Sequence, residues 1–194
     1  MARFRLHAVG AVLLLLSACG QEKPPAGMTD IKGIMPALSL SMTRANDGKA
    51  VTGEDYRGKI AVLYFGYTHC PDVCPTTLSN LSLALHALGN GAKNVRVLFV
   101  SVDPDRDTLP VLKSYVEAFA PQVDGLRGTK NRITDLARRY RVAFDVTSAS
   151  GAQAYEVTHS NSVFFFDRDG RARFVTMHTD DQAALAETFR YLLK

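Results

Sequence analysis

The chain has 194 residues, 46% of them hydrophobic, and a formal charge of +4. That suits one globular domain behind a short targeting segment, with the apolar residues in short runs and not in one long span. Removing residues 1–18 takes away Arg3 and Arg5 and leaves 21 basic against 19 acidic side chains, a balance that argues neither for nucleic acid nor for an anionic membrane surface as a partner.

Residues 1–18 read as a secretory signal. Arg3 and Arg5 give a positive start, and Ala8 to Leu16 form an apolar stretch too short to span a bilayer comfortably. Leu16-Ser17-Ala18-Cys19 resembles the bacterial lipobox, in which the cysteine becomes the lipidated first residue. The competing reading is an ordinary signal peptide with a stray cysteine. Cys19 stands at the end of the apolar run, and a polar tether follows at once, with Glu22, Lys23, Pro24, Pro25 and Gly27. The chain therefore divides into a signal (1–18), a lipidated cysteine with its flexible tether (19–30) and a folded domain (31–194). Acyl chains on Cys19 would hold the protein to a membrane, each buried methylene adding about 0.8 kcal/mol.

Ala37 to Met42 alternates apolar and polar residues, as a half-buried strand does. Asn46-Asp47-Gly48 signals a turn, with Val51 in the return strand. Ile60 to Phe65 is a continuous apolar run, the mark of a buried central strand. Pro75 then opens a helix through about Leu88, with Leu78, Leu81, Leu85 and Leu88 at helical spacing. Val95 to Val100 is a second buried strand. Leu109 to Phe119 is helical, capped by Asp107 or Thr108 and stopped by Pro121. Thr129 to Tyr140 is a further helix, and Val142 to Val146 a short strand. Val163 to Phe166 and Ala172 to Thr176 flank the turn Asp167 to Gly170, and Asp180 or Asp181 caps a last helix.

This order predicts an α/β sheet covered on both faces, and it looks like a thioredoxin-like domain. It has an N-terminal β-hairpin and an insertion, Pro104 to Phe144, between the second strand and the C-terminal hairpin.

With Cys19 assigned to the anchor, Cys70 and Cys74 remain, in a compartment where disulfides form readily. They are a bridge, a redox pair or a metal site. They lie where the first buried strand gives way to a helix, at the carboxyl end of the sheet, where ligands bind in open α/β folds. Pro75 places Cys74 at or beside the helix N-cap, where unpaired amides should ease ionisation of its thiol. Cβ atoms four residues apart on a helix stand about 5–6 Å apart. A disulfide needs about 3.5–4.5 Å, whereas two sulfurs at about 2.3 Å from one ion tolerate a wider gap.

Two thiolates rarely complete a transition-metal site. His159 is the leading candidate for a third ligand, because its loop precedes the strand Val163 to Phe166 and can approach the cysteines if that strand lies beside the central one. Two soft thiolates and one imidazole suit copper, Cu(I) above all. His7 leaves with the signal, and His86 falls on a solvated helix face. His69 and His178 are weaker candidates, the first adjoining Cys70 and the second following the last strand.

Phe65-Gly66-Tyr67-Thr68 and Cys70-Pro71-Asp72-Val73-Cys74-Pro75, together with Ser101-Val102-Asp103-Pro104-Asp105-Arg106-Asp107-Thr108, resemble the two signature blocks of the Sco/SenC proteins. The resemblance implies a thioredoxin fold, copper in the Cu(I) or Cu(II) state held by Cys70, Cys74 and His159, and a part in building the dinuclear copper site of cytochrome c oxidase subunit II. It also implies accessory roles for Asp72, which would tune the thiols, and Asp103, which would shape the pocket; each also suits a turn or cap. Another periplasmic copper chaperone and a thioredoxin-like reductant complete the expected partners, on a periplasm-facing, lipid-anchored protein. One departure is Thr158, where the family commonly carries aspartate before the histidine; its hydroxyl remains available to support the imidazole.

Two functions follow from the same residues. A metallochaperone needs all three ligands. A thiol–disulfide oxidoreductase needs the pair Cys70 and Cys74 and tolerates loss of His159. A thiol peroxidase finds little support, since Pro71 and Asp72 do not resemble a peroxidase setting and Arg106 is the sole nearby arginine to nominate.

Overall fold

The computed structural model describes residues 23–147 and 156–194. The signal segment and the lipidation candidate Cys19 lie outside the described residues.

The strands are β1 (Thr29–Asp30), β2 (Ser41–Arg44), β3 (Ala50–Thr52), β4 (Ile60–Gly66), β5 (Val95–Ser101), β6 (Val123–Arg127), β7 (Phe144–Thr147), β8 (Glu156–His159), β9 (Val163–Phe166) and β10 (Ala172–Thr176). The helices are α1 (Val73–His86), α2 (Leu109–Glu117), α3 (Lys130–Arg139) and α4 (Gln182–Leu193). Eight strands form one sheet in the order β1-β10-β9-β4-β5-β6-β2-β3, while β7 and β8 form a separate antiparallel pair. The sheet has the β4–β5–β6 parallel centre and the antiparallel β9–β10 hairpin of a thioredoxin-like fold.

β4 lies at the centre, and all seven of its residues are buried. A strand without an exposed face reads as an unbroken apolar run, which is why it was legible. Side-chain alternation assigns the helices to faces. Tyr64 pairs in register with Phe99, and Phe99 with Gly125, so these three share a face. Phe99 meets Tyr115 of α2, and Phe165 on the same face meets Phe189 of α4. A Cβ on Gly66 would touch Cys74 of α1. Helices α1, α2 and α4 therefore cover one face. The other is closed from α3, where Tyr140 packs on Phe164 and Phe166.

Several boundaries differ from the sequence reading. α1 starts two residues before Pro75, capped at Asp72; Pro75 still falls within the first turn, where its missing N–H has no intrahelical acceptor. The N-terminal hairpin begins at Ser41 and not at Ala37, and α2 is capped by the backbone of Thr108 without a side-chain bond. The expected insertion contributes a strand of its own. β6 runs parallel to β5, and β2 pairs antiparallel with it on the far side. Its Asp-Gly pair looks like a turn, yet Asp124 is buried 3.7 Å from Arg44, and Gly125 clears space for Leu112 of α2. β8, expected as loop, carries His159 at its end.

Candidate metal centre

The thiol pair is built by the junction of β4 and α1. After Gly66 the chain turns, the Cys70 amide donating to the Tyr67 carbonyl at 3.3 Å, and α1 begins at Val73. In this first helical turn the Cys74 amide has no intrahelical acceptor; it donates to Cys70 Sγ at 3.4 Å. Gly66 is what lets the strand and helix come so close. A Cβ there would stand 2.5 Å from Phe99 Cε2 and 2.9 Å from Cys74 Sγ, so no other residue fits without a shift.

The third group arrives on β8. Phe144 of β7 pairs with His159, and the Ser160 amide donates to the Ala143 carbonyl, which fixes the end of the strand. The imidazole stands edge-on to the rings of Tyr64 and Tyr67, with centroids 6.0 and 5.9 Å away. Its Nδ1 lies 3.1 Å from the Ser160 carbonyl oxygen. A carbonyl only accepts, so Nδ1 carries the proton and the lone pair sits on Nε2. Nε2 faces Cys74 Sγ at 3.2 Å, where the thiol donates to it. One candidate ligand atom from each of Cys70, Cys74 and His159 lies within 4.8 Å of the others.

Burial sets the protonation of this group. It pushes His159 below the ordinary imidazole value, with the Ser160 carbonyl pulling the other way, so the ring stays neutral. It also pushes the Cys74 thiol up to about 12. This corrects the expectation that Cys74 ionises easily at the helix start. The N-terminal amides are present, but removal from water outweighs them, and the neighbouring Cys70 adds to the upward shift. The site thus presents a neutral imidazole lone pair and a thiol whose proton lies on the sulfur–nitrogen line. A soft cation bound here would take that proton's place and would find two sulfur donors and a nitrogen donor in a partly buried pocket.

Asp72 and Asp103 separate in space. Asp72 is exposed at the start of α1, its carboxylate accepting from the Thr76 hydroxyl at 3.3 Å, and it is not part of the three-residue cluster. Asp103 is fully buried and ion-paired with Arg106, whose guanidinium lies over the Tyr67 ring at 5.8 Å from its centroid. Arg106 and Tyr67 link it to the site. Thr158 is exposed, and Nδ1 of His159 is held by the Ser160 backbone, a partner that survives any residue at 158. His69 and His178 do not join the cluster. His69 turns to the Thr68 hydroxyl at 3.0 Å, and His178 lines a neighbouring cavity with Asp72, Met177 and Asp180.

The sequence reading missed the role of Asp107. Its buried carboxylate accepts from the Thr68 amide at 3.0 Å, the Thr68 hydroxyl at 2.6 Å and the Ser101 hydroxyl at 2.6 Å. It ties the turn before Cys70 to the end of β5. The signal was the second signature block, in which Asp107 stood beside a predicted helix start and so read as a cap.

The SCO1/SenC family model matches residues 42–194. The SCO2-like protein of Rickettsia prowazekii is 33% identical over 169 residues, covering 86% of this chain and 82% of that protein. The mitochondrial SCO1 homolog 1 of Arabidopsis thaliana is 40% identical over 141 residues, 72% of this chain but only 40% of the longer relative. Among solved structures, copper-bound ScoI of Bradyrhizobium japonicum is 34% identical with a TM-score of 0.71, covering 80% of this chain and 98% of that one. Copper-bound yeast Sco1 is 29% identical with a TM-score of 0.72, covering 80% and 88%. With residues 42–194 matched and both signature blocks meeting at one site, the chain belongs to the SCO1/SenC family.

Proposed function

We propose that this protein binds copper through Cys70, Cys74 and His159 and delivers it to the dinuclear copper site of cytochrome c oxidase subunit II, acting at the periplasmic face from a lipid anchor on Cys19. The observation that carries the reading is the convergence of two sulfurs and an imidazole nitrogen within 4.8 Å. Copper-bound relatives of the same fold support the choice of metal. So does the donor set, since two soft thiolates with one neutral imidazole favour Cu(I) over harder divalent ions. Three ligands from a partly exposed pocket leave room for an incoming ligand from the acceptor, as a transfer site requires.

The protein's own groups supply the selectivity. Cys70 is partly exposed and Cys74 fully buried, so copper is met first by Cys70 and then drawn inward. The Ser160 carbonyl keeps the Nε2 lone pair aimed at the sulfurs.

A second reading rests on the asymmetry of the same cysteines. Cys70 is the more exposed, and its sulfur accepts the Cys74 amide. As thiolate it would attack a disulfide of subunit II, forming a mixed disulfide and releasing one thiol. Cys74 would then displace the second thiol, leaving a Cys70–Cys74 disulfide to be reduced by a thioredoxin-like partner.

The two readings part in one experiment. Copper-loaded protein is mixed with the reduced, metal-free soluble domain of subunit II, and metal-free reduced protein with its oxidised form. Appearance of the dinuclear copper spectrum in the first mixture supports delivery. Thiol release in the second without copper transfer in the first would replace it with the reductase.

A further inference from the structure

Tyr64 lies on the central strand and is fully buried, and among the described residues its hydroxyl makes no hydrogen bond. An unpartnered hydroxyl in the interior costs about 1–3 kcal/mol, so its position calls for a reason. Phenylalanine would fill the same space at no such cost.

The geometry points it at the metal centre. Tyr64 and Gly66 alternate onto the same face of β4, and the space above Gly66 is occupied by Cys74 Sγ. The Tyr64 ring stands edge-on to His159. Cys74, Thr77 and Cys70 are the polar side chains near enough to act on the hydroxyl. In the metal-free protein Cys74 is a neutral thiol donating to His159, and a neutral thiol is a weak acceptor. Once the sulfur binds a metal it is a thiolate, a strong charged acceptor for the same O–H.

We infer that Tyr64 is a tuning residue whose hydroxyl donates a hydrogen bond to the Cys74 sulfur in the copper-loaded protein. The inference rests on the copper reading above. A hydrogen bond to a thiolate withdraws electron density from the sulfur, weakens its donation to the metal and favours Cu(I) over Cu(II), in the way that sulfur hydrogen bonding tunes other copper–thiolate sites. The hydroxyl is then unsatisfied in the empty protein and satisfied in the loaded one, which adds to the preference for the loaded state.

The test compares the mature wild-type protein in detergent with Tyr64→Phe, and with Tyr56→Phe as a control that deletes another buried, unpartnered hydroxyl, one that faces Asp124 and Arg44. Each is titrated with Cu(I) and with Cu(II), and the sulfur-to-copper charge-transfer band of the Cu(II) form is recorded. Tyr64→Phe should melt no lower than wild type, shift the band to lower energy and reduce the ratio of Cu(I) to Cu(II) affinity roughly tenfold, the size of a net hydrogen bond to a charged acceptor. Tyr56→Phe should leave band and ratio unchanged. A folded Tyr64→Phe with the wild-type band and ratio overturns the inference alone; wild-type protein that binds no copper overturns the copper reading and the inference together. A second measurement is independent of the variant. In crystals of the copper-loaded wild type, Tyr64 Oη should lie within hydrogen-bonding distance of Cys74 Sγ, and an Oη turned to Thr77 instead contradicts the inference.

Discussion

Gly66→Ala tests how tightly the metal centre is built into the core. The added methyl would sit 2.5 Å and 3.0 Å from two ring carbons of Phe99 and 2.9 Å from Cys74 Sγ. Phe99 and Cys74 are both fully buried, so neither retreats into solvent. Overpacking of this kind costs about 1–3 kcal/mol, and two contacts in the forbidden range put this site near the top. Replacing glycine in a strand returns about 0.5–1 kcal/mol of unfolded-state entropy. The net loss is then about 2 kcal/mol, or about 4–8 °C in the melting temperature of a domain this size. The sulfur itself must also move, so copper affinity should fall about tenfold or more, as for other changes beside a metal ligand. Scanning calorimetry of the metal-free protein and a competition titration with a chromogenic Cu(I) chelator measure the two effects. A variant that melts within about 1 °C of wild type and keeps its copper affinity would refute the close strand–helix approach from which the site is derived.

Copper affinity should rise with pH. The Cys74 proton, held to about 12 by burial, must leave when the sulfur binds, so this thiol alone strengthens binding about tenfold per pH unit between pH 6 and 8. A competition titration giving equal affinities at both ends of that range would show that Cys74 does not enter as a thiolate. Asp107→Ala strands three donors, the Thr68 amide and the Thr68 and Ser101 hydroxyls, and should cost about 3 kcal/mol in urea unfolding; Asp107→Asn keeps an acceptor and should cost less. Cys19→Ser should move the protein from the membrane to the soluble fraction on cell fractionation, and continued membrane retention would contradict the lipid anchor.

The central strand, the cysteine pair at its end and the closing hairpin were legible because each has a local signature: an unbroken apolar run, paired thiols, a turn between two β-rich segments. What was not legible depended on distant partners. β6 contains Asp124-Gly125, which reads as a turn until Arg44 of another strand approaches the aspartate and Leu112 fills the space over the glycine. β8 is four residues long and has no neighbour in the main sheet, so its pattern is too short to separate from loop. The Cys74 thiol was misjudged for a related reason. Its place in the helix is local information, whereas its burial under β4 is set by the packing of the whole sheet. His159 was reached by chemistry and resemblance. Its tautomer comes from a backbone carbonyl, that of Ser160, which no side-chain pattern encodes.

Whether Cys70, Cys74 and His159 hold one ion together decides the function. The most direct test is a copper titration of the reduced mature protein beside its His159→Ala variant, followed by optical and paramagnetic resonance spectra. Wild type should bind a single equivalent with sulfur and nitrogen signatures, and the variant should lose the nitrogen signature and bind far more weakly. Equal affinity and identical spectra in the two proteins would contradict the three-ligand site.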